Sequence, residues 1–370
     1  MPADRSHLGA VVDADGHVVE RDAELFEYLP APYRGHGRLL SFPFFPTLDG
    51  FHRAARKAAD GTRVTSLEIP DVNDWLRFLG EANIALSVLF PTAGLAYGVI
   101  KDPDWAAGLA RGYNDWLHDR FLRHAPDRLK GVALIPLQDP PRAVVELRHA
   151  VEDLGMVGAV FPAAGLRDAF GERGYWPVYE AAQDLGCVLT VHGAPSEGLG
   201  LERLRKLIEV RTLTHPFSQF VQITSMMFGG VFDAFPRLKV AFCEAGSGWL
   251  PYILERLDLE YAHRAPQAPD LKVPPSEHLR SGRIFVHTEL GEAGLAYAIQ
   301  RFGDDLFFCA SDYPHEPKEE FPEALEEFAA RSDLSDEARR KIVWDNPIRM
   351  YGLDEAALRR ATASETAAIA

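Results

Sequence analysis

Short apolar runs recur along the chain, and segments with helical periodicity separate them. Eight runs have the length and composition of buried strands: Val11–His17, Ala85–Pro91, Gly131–Gln138, Val157–Pro162, Cys187–His192, Lys239–Glu244, Arg283–Glu289 and Leu306–Asp312. The helical patterns between them include Asp104–Arg123, Pro141–Leu154, Tyr175–Leu185 and Leu250–Tyr261. Apolar strands that alternate with amphipathic helices indicate a parallel sheet covered on both faces. The pattern therefore predicts an α/β protein, a closed (β/α)8 TIM barrel, with an open doubly wound sheet as the alternative.

Two regions interrupt this alternation. The first is a long insertion after strand one, at about residues 21–81, whose run Ser41–Pro46 is rich in phenylalanine and proline. This run predicts either a satellite core or a roof over the catalytic face. The second is the long connection Ser196–Phe220, which carries His215. Residues 1–352 are expected to form one barrel domain, and the Ala-rich tail 353–370 is expected to be a frayed helix or a disordered segment.

Composition and charge exclude several classes of protein. The chain has 370 residues, of which 47% are hydrophobic and 25% charged, which is typical of a globular protein. The net charge is −15 and no lysine or arginine run stands out, so the basic stripe of a nucleic-acid-binding protein is missing. No basic N-terminal segment precedes an apolar run, and no apolar stretch reaches about 18 residues. We therefore expect no membrane association and a cytoplasmic location.

The three cysteines, Cys187, Cys243 and Cys309, each lie in a predicted strand at an odd separation from its polar end. Side chains alternate between the two faces of a strand, so these thiols are expected to point away from the polar side chains. They are predicted to pack as small apolar groups. Neither a disulfide framework nor cysteine metal ligation is expected.

Polar residues stand at the end of several predicted strands. Strand one runs into Asp13-Ala14-Asp15-Gly16-His17, which places Asp13, Asp15 and His17 on one face. The carboxyl ends of the other strands carry His192, Glu244, His287 with Glu289, and Asp312. Because a barrel lumen is a packed core, polar residues at the carboxyl ends of its strands are candidate site residues.

Four of these residues form a plausible set of metal ligands. Asp15, His17, His192 and Asp312 supply two nitrogens and two oxygens, which suits Zn²⁺ first and Fe²⁺ or Mn²⁺ as alternatives. Such a set can leave one position open for water or substrate. A metal there lowers the pKa of a bound water towards ~7, or polarises a substrate oxygen. Asp13 is expected to brace the strand rather than to bind the ion.

With these residues in place, the chain resembles the amidohydrolase superfamily over about residues 9–352. Within it, the chain is similar to the branch that contains aminocarboxymuconate-semialdehyde decarboxylase and related aromatic-acid decarboxylases and hydrolases. The resemblance rests on motifs in a shared order: Asp13–Glu20, Gly229–Pro236, Glu244–Pro251, Ala310–His315 and Asp345–Gly352.

The resemblance implies that the metal ligands are Asp15, His17, His192 and Asp312. The chain departs from the family pattern at Glu244, where the decarboxylases have a catalytic histidine at the end of strand six. His287 on strand seven is also not a standard ligand of the mononuclear branch. His215, upstream of Gly229-Gly230, is a candidate acid or base, and a structural role in its connection is the alternative.

The predicted function is a metal-dependent enzyme that acts on an organic acid or acyl compound with substantial apolar surface. The reaction is either hydrolysis or non-oxidative decarboxylation, and the candidate catalytic residues are Glu244, His215 and Asp312. The alternative is a dinuclear non-heme iron oxygenase in which Glu244, His287 and His215, with Glu20 or Glu289 nearby, hold a second ion. A scaffold without catalysis is disfavoured, because buried charges without a partner are costly.

The expected partner is a small-molecule substrate. An anionic substrate needs a local cation, and the candidates are Arg211, Arg53 and Arg56. Trp249, Tyr313 and Phe217 are candidate residues at the rim of the pocket. A homodimer is also expected, with Trp249–Tyr261 as its contact helix.

Overall fold

Eight parallel strands form one sheet in the computed structural model, which describes residues 8–51, 56–57, 63–64 and 67–360. The strands are β1 (Val11–Val18), β2 (Ile84–Pro91), β3 (Leu129–Ala133), β4 (Gly158–Pro162), β5 (Val188–His192), β6 (Lys239–Cys243), β7 (Ile284–His287) and β8 (Phe307–Phe308). Their spatial order follows the chain. Beyond β8 the backbone returns to β1, since His17 N donates to Tyr313 O (2.7 Å) and Asp312 N donates to Asp15 O (3.0 Å). The predicted (β/α)8 barrel is therefore confirmed.

Helices follow the strands and cover the sheet. They are α1 (Asp22–Leu25), α2 (Val72–Glu81), α3 (Pro103–Arg120), α4 (Pro140–Arg148), α5 (Trp176–Leu185), α6 (Leu207–Phe228), α7 (Val231–Ala234), α8 (Trp249–Arg264), α9 (Pro275–Leu279), α10 (Leu295–Phe302), α11 (Glu320–Ala329), α12 (Asp336–Arg340) and α13 (Asn346–Tyr351). One π-helical turn, His149–Asp153, extends α4, and another, Lys341–Asp345, joins α12 to α13. The carboxylate of Asp102 caps α3, which begins at Pro103, as expected for a helix start.

The glycine of the first motif is required by packing. A Cβ at Gly16 would lie 2.5 Å from Cη2 of Trp75 and 2.7 Å from Oγ of Ser87. Trp75 on α2 is fully buried, so the helix covers this strand at close range. Asp13 accepts hydrogen bonds from Ser87 Oγ (2.6 Å) and Ser311 N (2.8 Å), which ties β1 to β2 and to the segment after β8. Asp13 thus makes the bracing contacts expected of it.

The aromatic run of the predicted insertion packs against α3. Phe44 is buried, its ring lies 5.4 Å from that of Trp105, and Trp105 Nε1 donates to Phe44 O (3.2 Å). Phe44 and Phe45 are therefore part of the hydrophobic core, whereas Phe42 is exposed, and the choice between a satellite core and a roof stays a prediction. The insertion also contains α1, α2 and two short antiparallel strands, Arg56–Lys57 and Arg63–Val64. Its predicted extent includes positions outside the described residues, so the limits 21–81 stay a prediction.

Three smaller expectations concern the tail, the cysteines and membranes. Residues 355–360 are helical with Leu358 buried, and the rest of the predicted tail lies outside the described residues. Cys187, Cys243 and Cys309 are buried free thiols, as expected. Among the described helices, none is both long and apolar enough to cross a bilayer. The cytoplasmic location stays a prediction.

Candidate metal centre

Two imidazoles at the carboxyl end of the barrel are held in one tautomer. His17 Nδ1–H donates to the carbonyl oxygen of Pro91 (2.8 Å), and His192 Nδ1–H donates to that of Gly193 (2.6 Å). Because a carbonyl oxygen only accepts, each Nδ1 carries a proton, so that in the neutral ring Nε2 holds the lone pair that a metal ion would use. Both Nε2 atoms are buried without a hydrogen-bond partner. Metal-binding histidines are held in this way by a group behind the ring.

Carboxylates complete the centre. Asp15 lies between the two imidazoles, with Oδ1 3.4 Å from His17 Nε2 and Oδ2 3.4 Å from His192 Nε2. Asp312 Oδ1 lies 3.3 Å from His17 Nε2. Asp15, His17 and His192 each offer one donor atom, and these three atoms all lie within 4.8 Å of one another. Leaving such buried groups unpaired costs about 1–3 kcal/mol each, and a divalent cation is a partner that satisfies them together. The residues present therefore fit a metal ion.

His315 adds a contact that sequence reasoning missed. Its Nδ1 lies 2.8 Å from Asp312 Oδ1, and its ring stacks on His17 with centroids 4.0 Å apart. His17, Asp312 and His315 form a second group of donors within 4.8 Å of one another. The only sequence signal was the position of His315 just after the strand end in the motif Ala310–His315.

Glu244 and His215 lie on the other side of His192. Glu244 Oε2 is 3.3 Å from His192 Nε2 and 3.3 Å from His215 Nε2. His215 is in the middle of α6, so the predicted long connection is largely helical. A Cβ at Gly193 would lie 3.0 Å from His215 Cα, so glycine lets α6 pack against the end of β5. The space beside His192 is thus filled by His215.

The backbone turns sharply at both strand-end carboxylates. Glu244 has a φ of 55° and Asp312 a φ of 51°, in the left-handed region that non-glycine residues seldom adopt. Such a conformation costs about 1–3 kcal/mol and is found preferentially at functional sites. Both side chains line the cavity at the mouth of the barrel.

The charges of these groups depend on one another. Burial raises the pKa of the Glu244 carboxyl, but the imidazoles of His215 and His192 outweigh it and lower this pKa to about 2. Burial likewise opposes ionisation of Asp312, and His315 and His17 hold its pKa well below the usual range. Burial lowers the pKa of His17, whereas the carboxylates of Asp312 and Asp15 raise it to about 10. In the metal-free centre, the carboxylates of Asp312 and Asp15 therefore favour the protonated form of His17.

The residues suggested for a second ion do not converge. Within the part of the chain that the structure describes, the donor atoms of Glu244, His215 and His287 do not all lie within 4.8 Å of one another. His287 Nδ1 is buried without a hydrogen-bond partner and lies 3.9 Å from Glu289 Oε1. Glu20 accepts three backbone hydrogen bonds from residues 92–94, which gives it a structural role.

A cavity of about 740 Å³ opens above the centre. Its walls include Asp15, His215, Glu244, His287, Glu289 and Asp312. Arg211 lines it too, whereas Arg53 lies outside the described residues and the side chain of Arg56 is not described. Trp249 and Tyr313 were expected at the rim, but both are buried, because each packs on neighbouring aromatic rings.

Most of the chain matches the model of one protein family. The family model described as Amidohydrolase matches residues 72–353. The chain belongs to the amidohydrolase family. The resemblance to this family that the sequence predicted is thereby confirmed.

Named relatives of this chain are decarboxylases. The chain is 26% identical over 291 residues to 2-amino-3-carboxymuconate-6-semialdehyde decarboxylase of Dictyostelium discoideum, covering 77% of each protein. It is 27% identical over 292 residues to gamma-resorcylate decarboxylase of a Polaromonas species, covering 75% of this chain and 86% of the relative.

A solved structure of dihydroxybenzoic acid decarboxylase from Polaromonas, with bound manganese and the inhibitor 2-nitroresorcinol, has the same fold. Its TM-score is 0.67 at 22% identity, and the match covers 95% of this chain and 99% of that one. The protein is therefore an enzyme of the amidohydrolase fold, and a divalent metal is supported by the donor group described above. None of these similarities favours the oxygenase alternative.

Proposed function

We propose that this protein is a divalent-metal-dependent carboxy-lyase that decarboxylates an aromatic hydroxy acid without an oxidant. The observation that carries the proposal is the convergence of unpartnered donors from Asp15, His17 and His192 beneath a cavity of about 740 Å³. The names of the curated relatives supply the reaction class.

Asp15, His17, His192 and Asp312 would hold the ion. When bound, the ion supplies a positive charge that anchors a carboxylate and a neighbouring hydroxyl oxygen. Two imidazoles and two carboxylates suit zinc, which we propose first, with manganese and iron as alternatives. Manganese is the ion in the Polaromonas neighbour.

The remaining residues move the proton and bind the acid. When the carbon–carbon bond to the carboxylate breaks, its electron pair stays on the ring carbon, which then takes a proton while carbon dioxide leaves. His215 is our candidate donor, because histidine is the side chain most often used for proton transfer. Glu244 Oε2, 3.3 Å from His215 Nε2, would orient the imidazole on the cavity wall. Arg211 at the cavity wall is the candidate partner for a second anionic group.

Hydrolysis is the second candidate, and one observation favours it. Glu244 is an anionic carboxylate where the resemblance leads us to expect a histidine, and an anion can take a proton from an attacking water. In that case Glu244 is the base, and His215 orients it. The substrate would then be an ester or amide of a similar acid.

Both candidates are tested with one preparation. Protein stripped with a chelator and reloaded with Zn²⁺ or Mn²⁺ is incubated with 2,6-dihydroxybenzoate, salicylate and their methyl esters. A carboxy-lyase releases carbon dioxide from a free acid and, in D₂O, places one deuteron on the carbon that lost it. Release of methanol from the esters without carbon dioxide supports the hydrolase. Activity equal to that of the stripped protein in every assay contradicts both.

His287→Ala is expected to leave one metal per chain and to raise KM about tenfold. The reason is that its buried Nδ1 lines the cavity without a partner, so that a substrate group would satisfy it, and such a bond is worth about 1–3 kcal/mol. Metal analysis and steady-state kinetics provide the measurement. Two ions per chain in the parent protein, falling to one in the variant, would instead establish the dinuclear site.

A homodimer remains part of the proposal. Apolar side chains of Phe217 and Val221 on α6 and of Tyr252 and Leu259 on α8 are exposed. Two of these side chains, Tyr252 and Leu259, lie on the predicted contact helix Trp249–Tyr261. Light scattering against the chain mass of 41.1 kDa tests this directly.

A further inference from the structure

His315 is held by protein groups at both ring nitrogens. Nδ1 lies 2.8 Å from Asp312 Oδ1, and Nε2 lies 2.9 Å from Thr92 Oγ1. An ionised carboxylate only accepts, so Nδ1 carries the proton that is shared with Asp312. The Thr92 hydroxyl can donate to Nε2 of the neutral ring. The imidazole therefore bridges the segments that follow β2 and β8.

Thr92 is itself firmly placed. Its N–H donates to Glu20 Oε2 (3.0 Å), and the N–H groups of Ala93 and Gly94 donate to the same carboxylate at 2.9 Å each. Glu20 is buried and lies two residues after the end of β1. The hydroxyl that anchors His315 is thus fixed relative to the strand that carries Asp15 and His17.

Through these contacts His315 restrains two candidate ligands. Its hydrogen bond fixes the rotation of the Asp312 carboxylate, whose Oδ1 stays 3.3 Å from His17 Nε2. Its ring stacks on His17 at a centroid distance of 4.0 Å and an interplanar angle of 28°. His17 is held on its other nitrogen by Pro91 O. One side chain therefore sets the orientation of an oxygen donor and of a nitrogen donor.

We infer that His315 is a positioning residue, anchored by Thr92, that orients Asp312 and His17 for the metal ion. The rival is that His315 itself binds the ion, since it belongs to a donor group with His17 and Asp312. Ligation would require His315 to give up either Asp312 or Thr92, whereas positioning uses both contacts as they stand. The inference rests on the proposed function only in assigning Asp312 and His17 to the ion.

Two conservative variants separate these roles. An asparagine places an amide nitrogen where histidine has Nδ1, and a glutamine places one nearer to Nε2. If His315 positions Asp312, His315→Asn keeps the donor to Asp312 and weakens Mn²⁺ binding less than about fivefold. His315→Gln then weakens it about 10–100-fold, as removal of a residue behind a ligand does. If Nε2 is a ligand, the order of the two variants is reversed.

The readout is the Kd for Mn²⁺ and for Zn²⁺, measured by competition with a chromogenic chelator, together with the Tm of the metal-free protein. Thr92→Val removes only the anchor hydroxyl and is expected to weaken binding severalfold with little change in Tm, which keeps the test valid if the His315 variants fold poorly. Parent-like affinity in His315→Gln, or a reversed order, overturns the inference. A parent protein that binds the ion but releases no carbon dioxide contradicts the proposed function instead.

Discussion

His17→Gln is expected to purify without its divalent ion and to lose measurable activity. His17 Nε2 belongs to both donor groups of the centre, the one with Asp15 and His192 and the one with Asp312 and His315. Its loss breaks both at once, so the metal affinity should fall by more than the ~100-fold that removal of a residue behind a ligand costs. Metal analysis of the purified variant, followed by titration with Mn²⁺ and Zn²⁺, provides the measurement.

His278→Gln is the matched control. His278 is also a buried histidine with a carboxylate partner, Asp233 at 3.1 Å, but it does not line the cavity. We expect it to lower the free energy of unfolding while metal content and kcat stay at parent values. Stoichiometric metal in His17→Gln would show that the centre is assigned to the wrong residues.

The fold and the proximity of the four candidate ligands at one end of the barrel could be predicted from the sequence, because both depend on local pattern. The run Cys187–His192 was predicted as a strand, and β5 spans Val188–His192, since apolar β-branched residues are enriched in buried strands. The parallel topology then places the polar ends of β1 and β5 at the same end of the barrel. Asp15 and His192 could therefore be paired although they lie 177 positions apart in the chain.

The contacts of the site that could not be predicted from the sequence depend on the loops and on close packing. Thr92 and His315 meet only because the connections after β2 and β8 fold toward each other, across 223 residues. The sequence pattern predicts His215 in a long connection, yet α6 continues through Pro216, and Gly193 leaves room for the helix. A proline usually ends a helix, so the pattern alone pointed the other way.

The His215→Asn variant is expected to lower kcat for decarboxylation by about 10²–10⁴-fold, the usual contribution of a positioned acid. Metal content and KM should stay near the parent values, because His215 is in neither of the donor groups of the centre. Thr212→Val is the matched control, since Thr212 lines the same cavity one turn earlier on α6 and its hydroxyl donates to Ile208 O on its own helix. A comparable loss in the control would show that the helix, not the imidazole, is affected.

Glu244→Gln, alone and combined with His215→Asn, decides how the pair works. If Glu244 acts through His215, to which its Oε2 lies at 3.3 Å, then the double variant should lose no more than His215→Asn alone. If Glu244 is itself the base of a hydrolase, Glu244→Gln should abolish ester hydrolysis while His215→Asn reduces it only modestly. Glutamine keeps the size of the side chain at this left-handed position, so a change in kcat reports the lost charge. The activities of these variants therefore show which reaction the centre performs at the position where the chain departs from the family pattern.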